Sequence, residues 1–192
     1  DDFLGDDRWL VVVRARAVLS GSPRSLRDLS SFPDAPPVVA IGAGGLYERF
    51  EPAAPGESDA HEFRWTFDAV FETGGFSLYS AVIGRHARPD DGPNTDEIGL
   101  VVQAARFIAD RTELIARVEW ADDDLASTDD LLTITAGVAH YLDGHDLKLI
   151  ADVGYGLEPV PDTFASSSAG WTGDEPGQDG QLVIRGQLQL VF

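Results

Sequence analysis

The sequence predicts an all-β fold, an antiparallel transmembrane β-barrel that takes in residues 1–192 and leaves no separate soluble domain. Apolar and polar side chains alternate over segments of about ten residues, which is the length of a tilted membrane strand. The longest apolar runs, at residues 10–13 and 38–41, are far too short for a membrane helix. Short and long connections alternate between the segments, as they do at the two ends of a transmembrane barrel.

We predict nine strands, of which the clearest lies at residues 61–72. Phe63, Trp65 and Phe67 lie on one face of this strand, and Arg64 and Asp68 lie on the other. Residues 98–108 would also tolerate a buried helix, because their apolar positions suit a helical face as well. The predicted strands cover residues 8–19, 37–49, 61–72, 76–87, 97–108, 112–121, 131–142, 146–156 and 181–192.

The connections between the strands alternate in length. Residues 73–75, 109–111 and 143–145 are short enough for hairpin turns, and glycine supplies a positive φ in two of them. The long, acidic links lie at residues 51–60, 88–96, 122–130 and 157–180. Since every second connection of an antiparallel sheet lies on the same side, short turns and long loops gather at opposite ends. The long link at residues 20–36 departs from this pattern, because it belongs to the end with the short turns.

The composition excludes several classes of protein. With 14 basic and 33 acidic residues and a net charge of −19, the chain lacks the basic face that nucleic-acid binding needs. It has no Cys, so neither a disulfide nor a thiolate metal site is available. It has no Met and begins at Asp1, and we therefore expect its original start and signal peptide to be missing.

No constellation of residues predicts catalysis, a cofactor or a metal site. Gly42 and Gly44 follow a strand, as in a dinucleotide-binding fingerprint, but Tyr47 occupies the place of the third glycine. His140 and His145 flank a tight turn at a spacing that is not a recognised zinc-ligand pattern. The chain is therefore not expected to be an enzyme.

The polar faces of the predicted strands carry the candidate functional residues. If these faces line a water-filled lumen, their charges set its selectivity, and Arg or Lys favours anions. A wall of paired charges without preference is the alternative, with Arg117 beside Glu119 and Lys148 near Asp152. The candidate lining residues are seven bases, Arg14, Arg16, Arg64, Arg85, Arg117, Lys148 and Arg185, and four acids, Glu62, Asp68, Glu119 and Asp152.

Six stretches of the chain resemble the porin O and P family, the phosphate-selective outer-membrane porins. Their order and spacing carry the resemblance, which covers nearly the whole chain but only the C-terminal part of that family. The stretches are VVVRARAVL (11–19), DAPPVVAIGAG (34–44), GFSLYSAVIGRHA (75–87), VVQAARFI with ELIARVEW (101–120), TAGVAHYLDGHDLKLIADVGY (135–155) and QLVIRGQLQLVF (181–192).

The resemblance implies a 16-stranded barrel in the outer membrane of a Gram-negative bacterium, of which this chain supplies about nine strands. It also implies assembly as a homotrimer, with outer-membrane lipid and lipopolysaccharide as partners, and it favours a strand at residues 98–108. Leu188, Leu190 and Phe192 look like the terminal signal that the barrel assembly machinery reads. The phosphate-binding features of the family lie largely outside the matched part, so phosphate specificity is not carried over.

Three functions are compatible with the sequence. The first is a porin for passive diffusion of small hydrophilic solutes or ions, with a preference for anions. The second is a structural or assembly component of a larger outer-membrane complex, without an open channel. The third is a soluble β-sandwich or lipocalin-like binder. The apolar side chains separate them, since Trp65 and Leu149 face lipid in a barrel but fill a dry core in a soluble protein.

Overall fold

The computed structural model describes residues 9–23, 26, 29–50, 60–89, 92–123, 130–162, 164–165, 169–175, 178 and 180–191. Within these ranges, no helix is long and apolar enough to cross a bilayer. The strands are β1 (Trp9–Ser20), β2 (Val38–Phe50), β3 (Ala60–Thr73), β4 (Phe76–Pro89), β5 (Thr95–Ala109), β6 (Thr112–Asp122), β7 (Leu131–Asp143), β8 (Leu147–Gly156) and β9 (Leu182–Leu190).

The nine strands form one antiparallel sheet in chain order, from β1 to β9. The predicted all-β fold and the nine strands are confirmed, and no boundary lies more than two residues from its predicted position. Residues 98–108, which also fitted a helix, lie within β5. Cross-strand partners such as Val102 and Val118 pair this segment with β6. Pairing with its neighbours therefore decides between two structures that the segment accepts locally.

The short turns lie together at one end of the sheet, which we call the turn end. β3 joins β4 through Gly74 and Gly75, whose φ angles of 45° and 85° are left-handed values that suit a two-residue hairpin turn. Gly144 between β7 and β8 has a φ of 50°. The ends of β2, β4, β6 and β8, where the long links begin, lie at the opposite end of the sheet, which we call the loop end.

The two faces of the sheet differ in which side chains they expose. The difference is the opposite of that in a soluble protein, because apolar side chains are exposed and charged ones are buried. Because side chains alternate along a strand, the pairing register assigns each strand residue to one face. One face, the outer face, carries exposed apolar side chains such as Phe67 at 59% and Ile184 at 75% exposure. The other, the inner face, carries buried charged side chains such as Glu62 at 2% and Glu113 at 0%.

Trp65 and Leu149 both lie on the outer face. Leu149 is about half exposed, and Trp65 lies against Gly84, its cross-strand partner on β4. A Cβ at Gly84 would overlap the Trp65 ring, so the glycine provides the space that the ring occupies. The Trp65 and Phe67 ring centroids are 5.6 Å apart on the same face. Neither Trp65 nor Leu149 therefore fills a closed core.

The sheet has two edges that lack a neighbouring strand. In the part of the chain that the structure describes, β1 pairs only with β2, and β9 pairs only with β8. A single-chain outer-membrane barrel ordinarily has an even number of antiparallel strands, so nine strands do not form one alone. The open sheet agrees with this rule and is compatible with part of a barrel.

Candidate functional site

The inner face carries all eleven residues that the sequence predicts to line a lumen. The register connects them across the sheet, because residues opposite each other on paired strands point to the same side. One such row contains Gln103 on β5, Arg117 on β6, Thr135 on β7 and Gly154 on β8. The inner face therefore carries polar side chains in rows that continue across strands, beside buried apolar residues such as Val70 and Ala81. We treat this face as the candidate functional site.

Asp68 organises the inner face at β1, β2 and β3. Its carboxylate accepts a hydrogen bond from Arg14 at 2.6 Å, and the Arg16 guanidinium lies 4.0 Å from its other oxygen. Gly42 is the cross-strand partner of Asp68, and a Cβ there would collide with the carboxylate. The glycine thus leaves room for the ion pair, which spans from β1 to β3.

A second buried carboxylate, that of Glu62, organises β3, β4 and β5. Its oxygens contact Arg64 on its own strand and Arg85 on β4, the latter at 2.9 Å from Nη2. Arg85 also donates a hydrogen bond to Glu97 on β5. Glu62 is buried while the two arginines are partly exposed, and this chain of contacts links the three strands.

Two ion pairs lie on the inner face of β6 to β9. Arg117 and Glu119 are 3.4 Å apart, as the sequence suggests. The expected neutralisation of Lys148 by Asp152 does not occur, because Arg185 lies directly opposite Asp152 and binds its Oδ1 at 2.6 Å. Lys148 and Asp152 are four residues apart on one strand, which separates them by about 13 Å.

Lys148 has a different environment from the other inner bases. It is 8% exposed, and its ammonium lies 5.5 Å from the centroid of the Tyr141 ring, in a cation–π geometry. Among the described residues it has no ion pair with a carboxylate. Lys148 is thus a base on the inner face whose charge is not matched by a salt bridge.

The sequence interpretation missed four acidic residues that share the inner face. Their positions follow from the same alternation, but they lie toward strand ends, where the predicted polar faces were not continued. With these four acids, the strand residues of the inner face include seven bases and eight acids, where the sequence interpretation counted seven bases and four acids. The four residues are Glu48, Glu72, Glu97 and Glu113.

The long link at the turn end folds onto the inner face. We call its residues 29–37 the inner segment. The ring of Phe32 lies 4.9 Å from that of Phe107 and 5.1 Å from that of Tyr141, both on the inner face. Backbone hydrogen bonds from Gly74 to Ala35 and from Gly75 to Phe32 attach the segment to the β3–β4 turn. The irregular length of this link thus has a structural cause.

A buried polar network fixes the inner segment to β6 and β7. Tyr141 donates a hydrogen bond to Glu113 Oε2 at 2.6 Å. Ser30 lies 2.9 Å from the same oxygen and 2.7 Å from the Tyr141 hydroxyl. A further hydrogen bond, 2.8 Å long, joins the Ser77 hydroxyl to the Leu29 carbonyl. Glu113 is fully buried, and the two hydroxyls bind its Oε2 in place of water, whereas its Oε1 has no hydrogen-bond partner among the described residues.

The link between β8 and β9 packs on the inner face from the loop end. Val160, Trp171 and Val183 form a small apolar cluster, with Trp171 lying over Gly154. Arg185 Nη1 donates a 2.8 Å hydrogen bond to the Ala169 carbonyl, which connects this link to the ion pair with Asp152. Both ends of the inner face are therefore partly covered by connecting segments.

A cavity of about 810 Å³ lies on the inner face between these two segments. Leu29 and Ser30 line it on one side, and Ala169 lines it on the other. Thr135 is 7% exposed and faces the cavity, and its hydroxyl has no hydrogen-bond partner within the described part of the chain. The charged side chains that line the cavity are Arg117, Lys148, Arg185 and Asp152.

The remaining predicted residues have simpler positions. Leu188 and Leu190 lie on the outer face of β9 and are 65% and 60% exposed, while Phe192 lies outside the described residues. Within the described ranges, no group of three or more His, Asp or Glu side chains is arranged to hold a metal ion. No family model, curated protein or solved structure matches this chain. The resemblance to the porin O and P family therefore stays a prediction.

Proposed function

We propose that this chain forms the wall of an outer-membrane channel through which small hydrophilic solutes or ions diffuse passively. The observation that supports this most directly is the reversed polarity of the sheet, with exposed apolar side chains outside and buried charges inside. In water, soluble monomers rarely expose contiguous apolar patches above a few hundred Å². Each of the nine strands exposes at least one large apolar side chain. Contact between the outer face and lipid would remove the unfavourable exposure of these apolar side chains to water.

The dimensions of the outer face suit a bilayer. On β3 the apolar side chains run from Phe63 to Phe71, a length of about 26 Å at 3.3 Å per residue, close to the apolar band of known barrels. Aromatic side chains mark its borders. Trp120 and Tyr155 lie toward the loop end, and the Phe71 and Phe76 rings lie 6.2 Å apart at the turn end. Such belts occupy the two membrane–water interfaces.

The unpaired edges indicate how the wall closes. β1 and β9 are both odd-numbered strands of an antiparallel sheet, so they run in the same direction. They therefore cannot pair with each other in an antiparallel ladder. Closure with antiparallel pairs alone requires an odd number of further strands, and seven would complete the 16-stranded barrel that the resemblance implies. If a second copy of these nine strands closed the wall, the two copies would pair in parallel where they meet. They would pair in antiparallel only if one copy were inverted in the membrane.

The passage in this proposal follows the polar inner face and narrows beside the inner segment. Strand charges on this face are nearly balanced, which gives the wall as a whole little preference. The cavity differs, because three bases and one carboxylate line it, and among the described residues Lys148 forms no salt bridge, although the Glu113 carboxylate is near enough to attract its charge. We therefore assign the proposed preference for anions to the cavity.

Planar-bilayer recordings of the intact protein test the proposal. We expect stepwise conductance, and in a salt gradient a reversal potential that favours anions. Lys148→Gln should shift that potential toward cation preference, while Lys148→Arg, which keeps the charge, should not. The absence of conductance steps from protein inserted in the bilayer would reject the channel function. An unchanged potential in Lys148→Gln would reject only the role of Lys148.

A structural or assembly role without an open channel is the second candidate. The specific observation in its favour is the covering of the inner face from both ends, by the inner segment and by the link between β8 and β9. If these segments meet across a completed barrel, the lumen is plugged. Membrane insertion without conductance, restored by loosening the inner segment with Phe32→Ala, would favour this candidate.

A further inference from the structure

We infer that the outer face binds the phosphate group of an anionic lipid at a row of basic side chains on β2, β3 and β4. Arg49, His61 and Arg88 lie opposite one another in consecutive pairs of the register, at the loop end of the sheet. Opposed side chains of paired strands have their Cβ atoms about 5 Å apart, so the row is about 10 Å long. The inference rests on the membrane embedding that belongs to the proposed function.

The charge of Arg88 leaves this row able to accept an anion. Arg88 is exposed, and among the described residues it has no ion pair or hydrogen bond. The nearest carboxylate on the outer face of β5 is that of Asp96, which contacts His86 Nδ1 at 2.7 Å. A guanidinium presents paired N–H donors that match two phosphate oxygens, so arginine is well suited to this ligand.

The position of the row corresponds to the depth of a lipid headgroup. Tyr47 and Phe63 lie on the same face, one alternate position closer to the middle of the strands. Aromatic side chains of this kind occupy the membrane–water interface, which places the basic row at the level of the headgroups. The Tyr47 hydroxyl lies 2.8 Å from His61 Nδ1 and holds the imidazole within the row. Acyl chains would then lie along the apolar surface that includes Phe67.

The basic row differs in charge from the protein as a whole, which is strongly acidic. The net charge of −19 repels anionic lipid in general, whereas the row concentrates positive charge at one border of the apolar band. Clusters of basic side chains next to a membrane surface attract anionic lipid by about 1 kcal/mol for each Arg or Lys. Arg106 also lies on the outer face, but near the turn end, and it provides a matched control.

Native mass spectrometry of the intact protein in a nonionic detergent tests the inference. Phosphatidylglycerol, phosphatidylcholine with the same acyl chains, and inorganic phosphate are the three probes. We expect phosphatidylglycerol to be retained in preference to the other two. The double variant Arg49→Gln with Arg88→Gln should bind it about 30-fold more weakly, equivalent to about 2 kcal/mol for two arginines. Arg106→Gln should bind it as the unmodified protein does.

The outcomes separate this inference from the proposed function. Equal retention of the two lipids, unchanged binding in the double variant, or an equal loss in Arg106→Gln would overturn the lipid site. Binding of inorganic phosphate without preference for the lipid would overturn the assignment to a headgroup. Bilayer recordings on the same samples report the channel independently, because the row lies on the outer face. Circular dichroism of each variant confirms that the sheet has formed.

Discussion

An arginine introduced in the middle of the outer face is expected to destabilise the protein in lipid, and Val118→Arg is the sharpest form of this change. Val118 lies near the centre of β6 and is 46% exposed, and its cross-strand partners are Val102 and Ile134. An arginine near the bilayer midplane of a barrel costs about 2–4 kcal/mol. That cost lowers the ratio of folded to unfolded protein roughly 30-fold to 1,000-fold. In water, a surface exchange changes stability by only about 0.5 kcal/mol.

The measurement is the free energy of unfolding of the protein in phospholipid vesicles, obtained by urea titration with tryptophan fluorescence. Val101→Arg is the matched control, since Val101 precedes Val102 on β5 and lies on the inner face opposite Glu119. There the new guanidinium meets a carboxylate and an aqueous surface, so we expect little change. Equal unfolding free energies for the two variants would show that the outer face does not contact lipid, and would refute the reasoning.

Three further predictions follow from individual contacts. Tyr141→Phe removes the hydroxyl bound to Glu113 and should lower the free energy of unfolding by about 1.5–3 kcal/mol, and an unchanged urea midpoint would contradict this. Gly84→Ala places a methyl group where the Trp65 ring lies and should cost about 1–3 kcal/mol, with a shifted tryptophan emission that Trp65→Phe abolishes. Arg185→Gln frees the link between β8 and β9 and should speed its cleavage by added protease, whereas equal cleavage rates would exclude the tether.

The strands and their faces were predictable because both depend on short-range patterns. Side chains alternate with a period of two, so the order Phe63, Arg64, Trp65 already places the two aromatic residues on one face and the arginine on the other. Gly74 and Gly75 similarly predict the tight turn between β3 and β4, since positive φ angles suit glycine. The same alternation would have revealed Glu113 as an inner acid had it been followed back to the start of β6.

The partners within the candidate site were less predictable, because register across strands decides them. Asp152 binds Arg185 from β9 and not Lys148 from its own strand, since opposed residues are about 5 Å apart and residues four positions along a strand about 13 Å apart. Lys148 is left to contact the Tyr141 ring instead. The charge preference assigned to the cavity depends on this arrangement and was not available from a count of charges.

The amino-acid order by itself determined the β class, the nine strands, the two ends of the sheet and the separation of apolar from polar faces. Only the tertiary structure decided that the inner segment folds onto the inner face. Ser30 meets Glu113 and Tyr141 across 83 and 111 residues of chain, and no local periodicity encodes such contacts. The physical reason is that strands and turns depend on the conformational preferences of neighbouring residues. The path of a long link depends on which buried donors and aromatic rings the assembled sheet presents to it.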